Sequence, residues 1–194
     1  MARVAEAVRK TKETEIRVRW KLDGEGVYRI STAIPFFNHM LELFARHGFF
    51  DIEIEATGDT DIDCHHTIED VGITMGKALR DALPGFEGIR RYGHCLLPMD
   101  ESLCMTAIDM SGRPSLVWKG DVEGRLGTFD GEVVKEFFQG FVNEARITLH
   151  VNLLYGDNLH HKIEAVFKAF GRALREAASR DDTIKGPLST KGVL

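Results

Sequence analysis

The sequence predicts an α+β fold in which one unit, a small β-sheet carrying two helices on one face, occurs twice. The first observation is a repeated motif: residues 65–69 read His-His-Thr-Ile-Glu and residues 160–164 read His-His-Lys-Ile-Glu. The second is that each motif continues into a stretch with apolar residues at helical spacing, in which Gly-Lys-Ala-Leu-Arg is matched by Gly-Arg-Ala-Leu-Arg. The third is the order of elements, which in both halves is strands, helix, strand, Gly-Asp turn and long helix. We therefore predict an internal duplication of about 90 residues, which is too long a period for a solenoid repeat.

The composition limits the classes of protein to consider. The chain has 194 residues, 43% of them hydrophobic, and a net charge of −5 with scattered basic residues, which gives no sign of nucleic-acid binding. No apolar run approaches the roughly 20 residues that a membrane span needs. The charged N-terminus lacks the apolar core of a signal peptide, and three cysteines, an odd number, are typical of reduced thiols. We therefore expect a cytoplasmic protein without membrane or nucleic-acid partners.

The first half contains two kinds of apolar periodicity. In residues 14–22 apolar and charged residues alternate, as in a half-buried strand, and the Asp-Gly-Glu-Gly sequence that follows favours a hairpin turn. Pro35 indicates the start of a helix and Gly48 its end. The predicted elements are, in order, a strand at 14–22, a return strand at 27–32, a helix from Pro35 to Gly48, a strand at 49–57 and the first His-His helix.

The second half follows the same order after a less regular start. The predicted elements are strands at 95–109 and 115–123 around a Ser-Gly-Arg-Pro turn, a helix at 131–145, a strand at 147–155 and the second His-His helix. The polar, Gly-rich chain after Arg180 is typical of a segment that is disordered or ordered by a ligand. We expect a single compact domain with halves at 1–92 and 93–180 and a C-terminal tail at 181–194.

The two His-His helices are candidate halves of a metal site. Residues three or four apart share a helix face, so Glu69 can approach one histidine of its own pair, and Glu164 one of its own. Adjacent histidines point about 100° apart, so one pair would serve two metal centres more easily than one. A single motif of this kind is more consistent with a polar helix start. Its duplication favours metal binding, because imidazole and carboxylate are ligands of borderline divalent metals.

Two further histidines complete an even set of candidate ligands. His39 lies on the helix before the first pair, and His150 lies on the strand before the second. With the pairs and the two glutamates they form two groups of three histidines and one glutamate. Each also has a simpler interpretation, since His39 could be a satisfied polar residue of its helix and His150 an exposed strand residue. His47 lies near the same helix face as His39 and is a candidate neighbour of the metal ligands that does not itself bind a metal.

A second set of residues fits a phosphate. Arginine, lysine and hydroxyl groups are what a phosphate monoester requires. The candidates are Arg91, Arg113, Lys168, Ser189 and Lys191. Each one alone is more often a solvated surface residue. Only Lys168 is tied to a metal helix by its spacing, one turn after Glu164.

Several motifs, in order along nearly the whole chain, resemble the imidazoleglycerol-phosphate dehydratase family of histidine biosynthesis. They are Phe37–Leu41, His47-Gly48, Gly58-Asp59, His65–Asp70, Pro98–Glu101, Ser111–Pro114, Thr148–Val151, His160–Glu164, Phe167–Phe170 and the C-terminal Ser189–Leu194. The resemblance implies dehydration of D-erythro-imidazole-glycerol phosphate to imidazole-acetol phosphate. It also implies the ribosomal protein S5 domain 2-like fold, with four helices packed between two four-stranded sheets. A chain of this length is expected to be a monofunctional form.

The resemblance further implies two Mn²⁺ ions in each active site and a homo-oligomer, a 24-mer built from trimers. The implied metal ligands are His39, His65, His66, Glu69, His150, His160, His161 and Glu164. The implied substrate-binding residues are Glu13, His39, His47, Arg91, Arg113, Lys168, Ser189 and Lys191. The metal ligands are the same eight residues that the histidine and glutamate count selects.

The reaction needs an electron sink, because the C–H bond beside the imidazole is not acidic and no carbonyl adjoins it. Two metals on the two ring nitrogens would hold the ring as an imidazolate and stabilise its charge. Glu13 and His47 are the candidate proton shuttles, while Glu69 and Glu164, also catalytic candidates, act mainly as ligands. Two alternatives remain at this point: a structural-metal assembly without catalysis, and a dinuclear metallohydrolase, which would use more carboxylates.

Overall fold

The structure, a computed structural model, describes residues 3–186 and 188–189. Its ten strands are β1 (Val4–Lys10), β2 (Thr14–Lys21), β3 (Tyr28–Ser31), β4 (Asp51–Gly58), β5 (Tyr92–Met99), β6 (Ser102–Asp109), β7 (Ser115–Lys119), β8 (Arg125–Leu126), β9 (Phe129–Asp130) and β10 (Thr148–Tyr155). Its four helices are α1 (Pro35–Gly48), α2 (His65–Ala82), α3 (Val133–Ala145) and α4 (Leu159–Ala178).

Two four-stranded sheets repeat the same topology. The first has the order β1-β2-β4-β3 and the second the order β5-β6-β10-β7. In each sheet the last strand of the order runs parallel to its neighbour and the other pairs are antiparallel. Alternation sets the inner face: Ile16, Val18 and Trp20 of β2 are fully buried, whereas the charged residues between them are exposed. The predicted α+β fold with an internal repeat is confirmed.

The four helices lie between the sheets and connect the two halves. α2 packs on the first sheet and α4 on the second, while α1 of the first half packs against α4 and α3 of the second half packs against α2. The α2–α3 contact is close because glycine stands at the crossing. A Cβ atom at Gly72 would lie 2.2 Å from the Phe137 carbonyl oxygen, and one at Gly76 would lie 2.4 Å from that of Phe141. The two halves therefore share one core.

The structure corrects one predicted connection and adds three strands. The predicted hairpin between β2 and β3 is wrong, because β4 lies between them and β3 pairs in parallel with β4. The predicted strand at 95–109 is two strands, β5 and β6, joined by a turn at Asp100 and Glu101. The strand β1 and the short pair β8 and β9 were not predicted. Within the described residues, no helix combines the length and apolar character that spanning a bilayer requires.

Candidate metal centre

All four helices begin at the same end of the helix layer, and the paired histidines lie there. α1 and α4 run in parallel, since His39 faces Glu164 near their starts and Gly48 faces the Gly171 carbonyl further along. α2 and α3 are also parallel, as their glycine contacts show. A cleft of about 780 Å³ is lined by the first residues of α1, α2 and α3, including His65. The fold thus collects the helix starts, and the motifs on them, around one region.

Within the described residues, one group of three possible metal ligands comes together: His39, His160 and Glu164. Their ligand atoms all lie within 4.8 Å of one another. His160 Nε2 is 3.1 Å from Glu164 Oε2, and His39 Nε2 is 3.9 Å from the same oxygen. The Asn158 side chain begins α4 by accepting hydrogen bonds from the backbone N–H groups of His160 and His161. Two imidazole nitrogens and one carboxylate oxygen at this separation fit a divalent metal ion.

Lys168 adds a positive charge to this group. Its Nζ lies 2.5 Å from Glu164 Oε1, one helical turn away, so the Glu164 carboxylate is shared between the lysine and the two histidines. Burial alone would raise the pKa of Glu164, but the bonds from Lys168 and His160 outweigh it and lower the pKa below the ordinary value. Glu164 is therefore ionised at neutral pH, as a metal ligand must be.

The equivalent contact in the first half is weaker. His65 Nε2 lies 4.0 Å from Glu69 Oε2, which is the counterpart of the His160–Glu164 contact, and both side chains are about 40% exposed. Among the described residues no third candidate ligand joins this pair. The duplicated motifs thus form the same glutamate–histidine pairing twice. Among the described residues of one chain, only the pair on α4 gains a third ligand, and that ligand is His39 from α1 of the first half.

The second histidine of each pair contacts a carboxylate outside its own helix. His66 Nδ1 lies 2.9 Å from Asp59 Oδ2 and 3.9 Å from Glu13 Oε2. His161 Nδ1 lies 2.7 Å from Glu101 Oε2. The hydrogen bond to Asp59 raises the pKa of His66 above its ordinary value, and the bond to Glu101 does the same for His161.

Asp59 and Glu101 were not among the candidate site residues. Asp59 belongs to the Gly-Asp turn that precedes the first His-His helix, and Glu101 to the Pro-Met-Asp-Glu segment that carries part of the family resemblance. Both residues lie in motifs that carry the family resemblance, and that position could have marked them as site candidates. Local spacing could not have paired Glu101 with His161, because the two are sixty residues apart.

His150 lies away from the three-ligand group. Its neighbours Leu149 and Val151 point into the core, so the His150 side chain is exposed on the outer face of the second sheet, opposite the helices. His39 is in the metal group, and the interpretation of His39 as an ordinary helix polar residue is unnecessary. The eight candidate ligands therefore do not converge within a single chain.

His47 lies at the far end of α1 and is half-buried. Burial, followed by the nearby charges of Lys168 and Arg172, lowers the pKa of His47 below its ordinary value. The imidazole is therefore neutral at neutral pH and able to accept a proton.

The candidate phosphate residues lie at two different ends of the molecule. Arg91 donates to both oxygens of Asp109, at 2.6 and 3.1 Å, and also to the Leu188 carbonyl, next to Ser189. Arg113 is exposed in its turn. Lys191 lies outside the described residues.

The backbone N–H of Arg91 bonds to the carbonyl of Ala177, near the C-terminal end of α4. At about 1.5 Å per residue, the α4 segment between His160 and Ala177 spans about 26 Å. Arg91 and the histidine group of the same chain are therefore well separated.

Comparison with known protein families identifies the family of this chain. A model of the family "Imidazoleglycerol-phosphate dehydratase" matches residues 32–174, nearly three quarters of the chain. The chain belongs to this family. A dehydratase of this name from Citrifermentans bemidjiense is 54% identical, with all of both chains covered, and the one from Geobacter sulfurreducens is 52% identical over the same extent.

Solved imidazoleglycerol-phosphate dehydratases have the same fold. The enzyme from Staphylococcus aureus superposes with a TM-score of 0.83 at 38% identity, covering 92% of this chain and 99% of that one. The enzyme from Pyrococcus furiosus gives 0.84 at 38% identity, covering 96% and 99%. The resemblance read from the motifs is confirmed. Membership in this family assigns the chain a dehydratase activity, that of a lyase, in histidine biosynthesis.

Proposed function

We propose that this dehydratase converts D-erythro-imidazole-glycerol phosphate to imidazole-acetol phosphate and water, with two Mn²⁺ ions in each active site. The observation that carries the proposal is the group of His39, His160 and Glu164, with Lys168 beside it, in a chain of this family. A nitrogen- and oxygen-ligated cation next to a lysine suits a substrate that has both an imidazole ring and a phosphate.

The metal-holding roles follow from the contacts. His39, His160 and Glu164 would hold one ion, and His65 with Glu69 would begin the second site. His66, His150 and His161 would supply the remaining nitrogen ligands. When bound, the ions would act as Lewis acids that stabilise negative charge on the substrate ring. The ligand types suit several divalent metals, so the choice of Mn²⁺ rests on the family resemblance.

Proton transfer is proposed for two side chains outside the ligand set, His47 and Glu13. Loss of water requires a base to remove the proton from the carbon beside the ring and an acid to protonate the departing hydroxyl group. His47, neutral at neutral pH, is suited to accept a proton, and Glu13, whose carboxylate lies 3.9 Å from His66, is suited to exchange one. Glu69 and Glu164 would act mainly as metal ligands.

The phosphate would be held by Lys168 together with Arg91, Arg113, Ser189 and Lys191, using its binding energy to orient the ring. Within one chain Arg91 lies about 26 Å along α4 from His160, so these two residues can meet one substrate only if they come from different copies. The exposed position of His150 on the outer sheet face supports the same conclusion. We therefore propose a homo-oligomer with active sites between subunits, a 24-mer built from trimers.

The dehydratase assay on metal-stripped protein tests this function. Chelator-treated protein should lose turnover and regain it on addition of Mn²⁺, and His160→Ala should stay inactive with the metal present. Full turnover by the metal-free protein would contradict the role of the metal. Metal-dependent assembly without any turnover of the substrate would instead favour the structural-metal alternative.

A further inference from the structure

The second histidine of each pair is held in the same way in both halves, by a carboxylate on its Nδ1 atom. For His161 the partner is Glu101 at 2.7 Å, and for His66 it is Asp59 at 2.9 Å. The first histidines differ, because His65 and His160 turn Nε2 towards the glutamate one turn later in their own helix. In each pair, the first histidine turns its Nε2 atom towards the glutamate of its own helix, and the second is contacted at its Nδ1 atom by a carboxylate from outside the helix.

The two carboxylate oxygens of Glu101 accept hydrogen bonds from different parts of the chain. Its Oε1 accepts the backbone N–H groups of Asn158 at 2.9 Å and Asp157 at 3.3 Å, and the buried Ser102 hydroxyl at 3.1 Å. Its Oε2 is thereby directed at His161. One side chain in the β5–β6 turn therefore fixes both the loop that precedes α4 and the histidine ring on the first turn of α4.

The two halves reach this contact from positions that the repeat does not relate. Asp59 lies in the Gly-Asp turn before α2, and the repeat equivalent of that turn in the second half contains Asp157. The carboxylate on His161 comes instead from Glu101, in a different turn. Inheritance from one duplicated ancestor would place the partner at equivalent positions. The two halves share only the carboxylate at Nδ1 of the second histidine. This indicates that the hydrogen bond itself, and not the position of its partner in the repeat, is needed in both halves.

An ionised carboxylate only accepts hydrogen bonds, so the Nδ1 atom that faces it carries the ring hydrogen. The lone pair of the neutral ring is then on Nε2, which is the atom available to a cation; in His161 this atom lies 3.7 Å from Oδ2 of the exposed Asp100 side chain. We propose that Glu101 is a positioning residue of the metal centre, which fixes His161 with Nε2 as its ligand atom, and that Asp59 does the same for His66. This inference rests on the proposed metal-dependent function.

The substitution Glu101→Gln tests the role with little change of shape. A glutamine keeps one oxygen for the backbone of the preceding loop and places an amide N–H₂ donor at His161 Nδ1. That donor favours the ring form with its hydrogen on Nε2, which blocks ligation. We expect Mn²⁺ to bind the metal-stripped variant about 10- to 100-fold more weakly than the wild type, the range typical for loss of such a partner.

The controls separate positioning from folding. Ser102→Ala removes one bond to Oε1 but leaves the contact between Oε2 and His161, so its Mn²⁺ affinity should stay within a few-fold of the wild type. The thermal unfolding temperature of each metal-free protein is recorded beside the Mn²⁺ affinity, and Glu101→Gln should change the affinity without a matching loss of stability. If Glu101→Gln does not fold, Asp59→Asn carries the same test in the first half.

The outcomes distinguish the two levels of the proposal. Wild-type protein that binds no Mn²⁺ would overturn both the proposed function and the role of Glu101. Wild-type protein that binds Mn²⁺, with Glu101→Gln and Asp59→Asn binding equally well, would overturn the positioning role alone. A variant that loses only thermal stability would also overturn it, because the carboxylate would then serve the fold.

Discussion

At the scale of single residues, Lys168 combines two functions of the proposed site. Its Nζ contacts Glu164, a member of the metal group, yet it is the member of the predicted phosphate set that lies nearest to that group. The side chain is 16% exposed, so its charge is poorly screened by water and remains able to attract an anion. A phosphate oxygen near Lys168 would therefore be placed beside the metal ligands.

Lys168→Met should lower kcat/KM by about 10- to 100-fold, because a hydrogen bond to a charged group contributes about 1.5–3 kcal/mol. Methionine keeps the length of the chain and removes the charge. Steady-state kinetics of the dehydratase reaction checks this, and Lys77→Met, an exposed lysine of α2, is the control that should leave kcat/KM unchanged. Unchanged kinetics in Lys168→Met would remove this lysine from the substrate site.

The contacts of the paired histidines are only partly encoded in local sequence. The spacing within the motifs predicted that each glutamate approaches a histidine of its own pair, and both the Glu69–His65 and Glu164–His160 contacts are present. His39 joins His160 and Glu164 only because α1 packs on α4, and no local sequence pattern specifies that packing. The partners of His66 and His161 come from separate turns and were missed for the same reason.

At the scale of elements, the loop between β2 and β3 shows where turn chemistry misleads. The Asp-Gly-Glu-Gly sequence does reverse the chain, but β4 takes the place beside β2, because β4 offers a longer alternating partner. Asp51, the first residue of β4, then holds that loop. Its Oδ1 accepts the N–H groups of Glu25 and Val27, and its Oδ2 accepts from Lys21. Local sequence predicts a turn; the partner strand is a tertiary choice.

Asp51→Asn should destabilise the protein in a pH-dependent manner. Burial alone would raise the pKa of Asp51, but the Lys21 and backbone hydrogen bonds outweigh it and lower the pKa to about 2. An unfolded aspartate titrates near roughly 3.9. Because the folded pKa is the lower one, the carboxylate stabilises the fold above about pH 4, and that contribution is lost as the pH falls towards 2.

Thermal unfolding between pH 3 and pH 7 measures this effect. The difference in unfolding temperature between the wild type and Asp51→Asn should be largest at neutral pH and should shrink as the pH is lowered. Asp81→Asn, at an exposed position of α2, provides the comparison and should show no such trend. A difference that is constant with pH would mean that the ionised form of Asp51 contributes nothing.

At the scale of the whole molecule, α4 separates two parts of the proposed active site. The metal group of His39, His160 and Glu164 lies at its start, while Arg91 bonds to the backbone near its end and also contacts the Leu188 carbonyl, next to Ser189. The sequence predicted both sets of residues. It could not show that the two sets lie at opposite ends of α4, because residue spacing along the chain does not give distances between elements in the folded molecule. The proposed oligomer brings these ends together.

Mixing two inactive variants tests that arrangement. His160→Ala and Arg91→Ala should each be inactive or nearly so alone. In co-expressed, mixed oligomers about a quarter of the sites would receive an intact His160 from one copy and an intact Arg91 from another, so part of the activity should return. Mixed oligomers of His160→Ala and Lys168→Ala should show no activity beyond that of the Lys168→Ala copies, since both residues lie in the same group of one chain. Differently tagged copies purified in two steps establish that mixing occurred. If mixing is established and the Arg91→Ala combination stays inactive, Arg91 and His160 do not meet across a subunit boundary.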